Sequence, residues 1–272
     1  MSVLAARRDT STGAVATALV SVAAVALLVR VALHSDQGQQ WDDSAMRTVV
    51  AGRDAQLTLL SVLGYVSIGA ILAVALGCAV VALLRGRPRI GAAAATVLVG
   101  ANLTTQLLKE SVLDRPDFGL GTLNSLPSGH TTVVASAVGA SLLVAPGVLR
   151  PVVALVGGFA ATLTGASTVV AGWHRPADVM AALAISLFWT AAVAAVILPR
   201  KREVPPGTGT PVKGTFVSAA VGCVGGLGFL VAIGVRPAYG WVGFTQASLV
   251  LGAVTAVTAL FVVAASAVSP SK

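Results

Sequence analysis

The sequence predicts an all-α fold, a polytopic transmembrane helical bundle. Of its 272 residues, 56% are hydrophobic and only 10% are charged, whereas soluble domains average about 25% charged residues. The mean hydropathy is +0.89. The apolar residues form continuous runs of roughly 20, the length at which a helix crosses a bilayer. Alternating segments of about ten residues, which are typical of membrane β-barrels, are absent.

Eight apolar runs are candidate membrane spans. In chain order we expect them at residues 14–33, 57–84, 90–108, 131–148, 152–171, 177–198, 215–235 and 242–268. The first two runs are separated by a polar loop, residues 34–54, in which we expect a short interfacial helix. Trp41 in this loop is predicted to be an interfacial anchor.

The spans divide into two groups. Residues 1–198 hold six spans and every polar motif described below, whereas residues 215–272 hold two spans and no such motif. Residues 199–214 between them are basic and rich in Pro and Gly, which is typical of a linker. We therefore predict a six-span core, a cytoplasmic basic linker and a two-span C-terminal appendage.

The distribution of charge predicts the orientation of the chain. The net charge is +8, and most Lys and Arg residues lie in loops on the same side as both termini. Cytoplasmic loops are enriched in Lys and Arg, so we expect a multi-pass protein of the inner (plasma) membrane with both termini in the cytoplasm. The lipid bilayer, and no nucleic acid, is the partner that this pattern predicts.

Three polar islands interrupt the apolar sequence, at residues 109–116, 127–130 and 167–178. Ionisable residues at membrane depth are costly and therefore indicate function. If the apolar runs are spans, all three islands emerge on the outer side. They can then contribute to one site.

The third island combines a histidine with a carboxylate. His174 lies just before a helix start predicted at Pro176, and Asp178 falls in the first turn of that helix. The carboxylate can hold one imidazole nitrogen and leave the lone pair of the other free for attack.

The first two islands add cations and an anion-binding helix start. Ser128 and Gly129 precede an apolar run, and backbone N–H groups at a helix start favour an anion. His130 can protonate a leaving oxygen. Together with Lys109 and Arg115, this set of residues suits phosphoryl transfer.

The motifs resemble those of the type 2 phosphatidic acid phosphatase superfamily, which are integral membrane lipid phosphatases. The second motif matches fully at residues 127–130, as Pro-Ser-Gly-His. The third matches in spacing through Ser167, His174 and Asp178.

The chain departs from the family pattern at two points. Five residues separate Lys109 from Arg115, where the family has six. Thr168 stands where the third motif has an arginine, so one phosphate-binding cation is missing. Arg175, next to His174, is a candidate replacement.

The resemblance implies a six-helix phosphatase core with its active site near the outer membrane surface and with neither metal nor cofactor. It implies that His174 is the nucleophile that forms a phosphohistidine, Asp178 orients it, and His130 is the general acid. The residues expected to bind the phosphate of a membrane lipid are Lys109, Arg115, Ser128 and Gly129, with Arg175 added.

Two other classes of function stay open at the level of sequence. His130, His174 and Asp178 are also a possible two-histidine, one-carboxylate metal site of a membrane hydrolase. Buried His and Asp residues can instead relay protons in a transporter. Lipids from phosphatidate to a polyprenyl pyrophosphate all fit these motifs, and the sequence determines neither the lipid nor the oligomeric state.

Overall fold

The structure, a computed structural model, describes residues 7–8, 10–64, 68–197, 202–203 and 212–270. Within these residues it contains ten α-helices and four short strands. The helices are α1 (Thr10–Ala32), α2 (Asp36–Met46), α3 (Arg53–Gly64), α4 (Ile68–Leu84), α5 (Pro88–Leu107), α6 (Gly129–Val144), α7 (Arg150–Val170), α8 (Pro176–Ile197), α9 (Val212–Ala232) and α10 (Phe244–Val268). The strands are β1 (Arg7–Arg8), β2 (Val49–Ala51), β3 (Arg202–Glu203) and β4 (Val235–Pro237).

The predicted all-α bundle is confirmed. Six helices are long and apolar enough to cross a membrane, namely α1, α5, α7, α8, α9 and α10, while α4 and α6 are shorter apolar helices. A short helix, α2, is present in the polar loop where we predicted one, while its location at the membrane interface stays a prediction. The second predicted span, 57–84, covers most of α3 and the whole of α4, and residues 65–67 between them lie outside the described residues. Most of the predicted linker also lies outside them.

Two antiparallel strand pairs mark the two ends of the bundle. Strand β1 precedes α1 and pairs with β3, which follows α8. Strand β2 follows α2 and pairs with β4, which connects α9 to α10. Because α2 follows the opposite end of α1, the β2–β4 pair lies at the end of the bundle away from β1 and β3.

Helices α7 and α9 pack closely because glycines form their interface. A Cβ at Gly158 would lie 2.9 Å from the carbonyl oxygen of Ala219, and a Cβ at Gly226 would lie 2.8 Å from that of Phe159. Small residues allow such close approach of helices in a membrane. Buried side chains of α6, α7, α8, α9 and α10 belong to one hydrophobic cluster, so the last two helices share the core of the bundle.

The three polar islands lie at helix ends. The first follows α5, where a π-helical turn, Leu108–Val112, leads into an irregular segment. The second caps the start of α6, and the third connects α7 to α8 through Gly172, whose φ of +71° suits a residue without a Cβ. Pro176 begins α8, where its missing N–H costs no helical hydrogen bond.

Candidate active site

A buried histidine and a buried carboxylate form the centre of the site. His174 Nδ1 lies 3.2 Å from Asp178 Oδ2, and the two residues are 6% and 1% exposed. With Asp178 ionised, Nδ1 carries the proton and Nε2 keeps its lone pair. The pair therefore has the arrangement of an oriented nucleophile.

Asp178 links the third island to the second island and to Ser125, which lies just before it. Its Oδ2 also accepts hydrogen bonds from Ser125 Oγ at 2.6 Å and from the backbone N–H of Arg175 at 2.9 Å. Its backbone carbonyl accepts the N–H of Ser128 at 3.0 Å. The start of α6 is thereby held against the first turn of α8. Asp178 Oδ1 is buried and has no partner among the described residues.

The loop that carries His174 is fixed by the end of α7. The backbone N–H groups of Trp173 and His174 both donate to the carbonyl oxygen of Thr168, at 3.0 and 3.2 Å. The Thr168 side chain is fully buried, and its hydroxyl donates to the carbonyl oxygen of Gly165 at 2.8 Å. The backbone of residue 168 therefore holds the loop, while its side chain bonds within α7 and brings no charge to the site.

The second histidine lies at the start of α6. The ring centroids of His130 and Trp173 are 5.6 Å apart, and His130 lies within electrostatic range of both His174 and Lys109. His130 is half-buried and Trp173 is exposed. His130 therefore lies next to Trp173, the neighbour of His174 in the chain, and near enough to His174 and Lys109 for their charges to act on it.

The helix start before His130 is open on one side. The Ser128 hydroxyl accepts from Thr131 Oγ1 at 3.0 Å and from the Thr131 N–H at 3.4 Å, so it serves as the N-cap. A Cβ at Gly129 would meet no atom within 4 Å among the described residues. A ligand can therefore approach the backbone at this point.

Arg115 is a buried cation with unused hydrogen-bond donors. It is only 4% exposed, and its Nε and Nη2 have no partner in the described ranges of the chain. Burial lowers the pKa of the guanidinium, and the neighbouring charge of Arg175 lowers it further. Such a group is expected to hold an anion, because an unsatisfied buried donor is costly.

Arg175 is held on two sides. Its Nη2 donates to Asp43 Oδ1 at 3.2 Å, and its Nη1 donates to Ser125 Oγ at 3.3 Å. Its Nε is buried and has no partner within the part of the chain that the structure describes. Two of its three nitrogens are therefore occupied and one remains available.

Lys109 lies in the π-helical turn after α5 and is half-buried. Its carbonyl oxygen accepts from Asn124 Nδ2 at 3.5 Å, and that amide also donates to the carbonyl oxygen of Leu113 at 3.0 Å. Asn124 thus ties the first island to the segment before the second. The shortened spacing between Lys109 and Arg115 occurs in this turn and the segment after it.

Helix α2 contributes acidic residues that the sequence did not predict as part of the site. Asp43 pairs with Arg175, and Asp42 Oδ1 accepts the N–H of Ala177 at 3.0 Å. Burial raises the pKa of Asp42 to about 7. The signal available in the sequence was an adjacent acid pair in a loop predicted to lie on the same side as the islands.

The structure therefore brings most of the predicted residues together. His174, Asp178 and Arg175 are linked by hydrogen bonds, Ser128 joins them through its backbone, and His130 joins them through Trp173. Among the described residues, no group of three His, Cys, Asp or Glu side chains is arranged to hold a metal ion.

Fold and site together define a multi-pass membrane protein with a buried His–Asp pair next to two arginines. A family model described as the PAP2 superfamily matches residues 15–202, which is more than half of the chain. The protein belongs to this superfamily, which confirms the resemblance seen in the motifs. Membership implies phosphatase activity on phosphate esters. No match was found among curated proteins or among solved structures.

Proposed function

We propose that the protein is a membrane phosphatase that hydrolyses a lipid phosphate or pyrophosphate at the outer membrane face through a phosphohistidine intermediate. The observation that carries the proposal is the oriented His174 imidazole, with the unpartnered N–H donors of Arg115 and Arg175 in the same cluster. A phosphate would satisfy those donors, because guanidinium groups bind phosphate with charge-assisted hydrogen bonds.

The proposed reaction has two steps. In the first, His174 Nε2 attacks phosphorus, the bond from phosphorus to the leaving oxygen breaks, and His130 gives that oxygen a proton. In the second, water attacks the phosphohistidine, the phosphorus–nitrogen bond breaks, and His130 takes a proton from the water. Asp178 holds the ring and stabilises its positive charge. Lys109, Arg115, Arg175 and the Ser128–Gly129 helix start stabilise the phosphoryl oxygens.

An apolar groove on α5 supports a lipid as the substrate. The groove has a volume of about 600 Å³ and follows one face of the helix from Ala95 to Leu107. Gly100 leaves room for the ring of Trp189, whose Nε1 donates to Thr104 Oγ1 at 3.0 Å. The groove ends two residues before Lys109, so a hydrocarbon chain lying in it would bring its phosphate towards the cations.

The charge pattern of the loops supports an outer location of the site. The site lies at the end of the bundle that carries α2 and the β2–β4 pair, away from β1 and β3. Strands β1 and β3 lie at the other end, and they belong to the basic segments that the Lys and Arg bias assigns to the cytoplasm. We therefore propose that lipid substrates reach the site from the outer leaflet.

Phosphate release by the purified protein tests the proposal. The substrates are a polyprenyl phosphate, a polyprenyl pyrophosphate, phosphatidate and a soluble phosphate ester, each presented in detergent micelles. We expect turnover of at least one lipid, with the soluble ester a poorer substrate, and no loss of activity in EDTA. His174→Ala should abolish turnover and prevent formation of an acid-labile phosphoenzyme.

His34→Ala is the matched control, since His34 is an exposed histidine at the same end of the bundle and outside the cluster. It should retain activity. Unchanged turnover in His174→Ala would refute the assigned nucleophile. Activity that EDTA removes and a divalent ion restores would favour a metal-dependent hydrolase instead.

A further inference from the structure

Helix α2 places three side chains against three different segments of the site. Gln39 contacts the segment of Arg115, Asp42 contacts the start of α8, and Asp43 contacts Arg175. We propose that α2 is a positioning element of the phosphate site, in which Asp43 holds the Arg175 guanidinium and Gln39 holds the backbone next to Arg115. This inference rests on the proposed function.

Gln39 ties the Arg115 segment to the end of α1. It is fully buried, and its Nε2 donates to the carbonyl oxygens of Leu33 at 2.8 Å and Pro116 at 3.0 Å. The Nε and Nη2 of Arg115 have no partner in the described part of the protein. The position of this guanidinium therefore depends on the backbone at residues 115–116, which Gln39 fixes.

Asp43 orients the guanidinium of Arg175. Its Oδ1 accepts from Arg175 Nη2, while its Oδ2 accepts from Arg47 Nε at 2.8 Å. The Asp43 side chain is 9% exposed and that of Arg175 is 12% exposed, so solvent screens their interaction only weakly. With Nη1 on Ser125, the plane of the guanidinium is fixed and its free Nε points in one defined direction.

The C-terminal helices hold α2 in place. Strand β2 begins three residues after the end of α2 and pairs with β4, with Val50 opposite Arg236. The N–H of Ala238 also donates to the carbonyl oxygen of Thr48 at 2.8 Å. The loop between α9 and α10 thus anchors the segment that carries Asp43, which gives the last two helices a connection to the site.

A double-mutant cycle tests whether Asp43 acts through Arg175. The proteins are the wild type, Asp43→Asn, Arg175→Gln and the double variant, assayed with the best lipid phosphate and with inorganic phosphate as competitive inhibitor. An asparagine at position 43 lacks the charge and has one accepting oxygen and one NH2 donor, where Asp43 accepts from both Arg175 and Arg47, so its hold on Arg175 is weaker. Because hydrogen bonds to charged groups contribute on the order of tenfold or more to an equilibrium, Asp43→Asn should raise KM and the inhibition constant of phosphate by about tenfold. The value of kcat should change less than KM.

The decisive result is whether the effects of Asp43→Asn and Arg175→Gln on KM add up in the double variant. If Asp43 works by holding Arg175, the double variant will be no worse than Arg175→Gln alone. Arg47→Gln is the matched control, because it removes the exposed partner of Asp43 and leaves the contact with Arg175. It should change KM by less than about twofold, in line with the small contribution of exposed ion pairs.

Gln39→Leu provides a second variant that keeps the buried volume and removes both donated hydrogen bonds. It should also raise KM and the inhibition constant of phosphate, and it decides the matter if Asp43→Asn does not fold. Additive effects in the cycle, or a normal KM in Gln39→Leu, would overturn the role of α2. Failure of the proposed function is distinguished by His174→Ala, which would then remain active.

Discussion

We expect Asp42 to make the stability of the protein depend on pH between about 4 and 7. Burial raises its pKa to about 7, the hydrogen bond from the Ala177 N–H opposes the rise, and the charge of Asp178 adds to it. Replacing Asp42 with Asn keeps an oxygen that accepts the Ala177 N–H and removes the charge. We therefore expect Asp42→Asn to abolish this pH dependence.

The sign and size follow from the two pKa values of this carboxyl group. The unfolded chain releases the proton near the ordinary value of 3.8, whereas the folded protein retains it up to about 7. Between these values the folded state binds more protons, so the free energy of unfolding falls as the pH rises through this window and stays low above it. A difference of about three pH units corresponds to a loss on the order of 4 kcal/mol.

Thermal unfolding of the purified protein in detergent micelles, at about pH 5 and about pH 8, measures the effect. Only about two of the three pH units lie above pH 5, so the difference between the two conditions is on the order of 3 kcal/mol. For a chain of this size, such a loss lowers Tm by roughly 5–10 °C. When the pH is raised, Tm should decrease further for the wild type than for Asp42→Asn. Asp54→Asn, at an exposed acid in the first turn of α3, should behave as the wild type. Equal Tm losses in the wild type and Asp42→Asn would refute the reasoning.

Two further predictions concern catalysis and helix packing. Asp178→Asn should lower kcat by on the order of a thousandfold or more, because an amide that donates to Nδ1 leaves the proton on Nε2 of His174. Phosphate release measures kcat, and an unchanged Tm shows that the variant is folded. A near-normal kcat would contradict the role assigned to Asp178. Gly222→Ala should lower Tm, since its Cβ would overlap the carbonyl oxygen of Leu155, at a cost of about 1–3 kcal/mol. Gly228→Ala, on the same helix and with no described atom near its Cβ, should not lower Tm.

The fold was largely predictable because most helices correspond to a continuous apolar run in the sequence. Apolar runs of the length that a bilayer requires gave the long spans, and Pro and Gly residues marked their ends. The run at 57–84 corresponds to most of α3, described up to Gly64, and to α4, described from Ile68.

The centre of the site was predictable because its members are close in sequence. His174 and Asp178 are four residues apart at a helix start, so local geometry alone brings their side chains together. The contribution of α2 was not predictable in this way. Asp43 and Arg175 are 132 residues apart, and whether they meet depends on the turn after α1 and on the pairing of β2 with β4.

The replacement of the family's arginine by Thr168 explains why such a distant contact would matter. An arginine at position 168 would extend from α7, a helix whose position packing already fixes. Arg175 extends instead from the loop before α8, so its guanidinium needs a partner to define its direction, and Asp43 is that partner. If Arg175 binds the phosphate as proposed, phosphate binding would depend on α2, and through β2 and β4 on the last two helices.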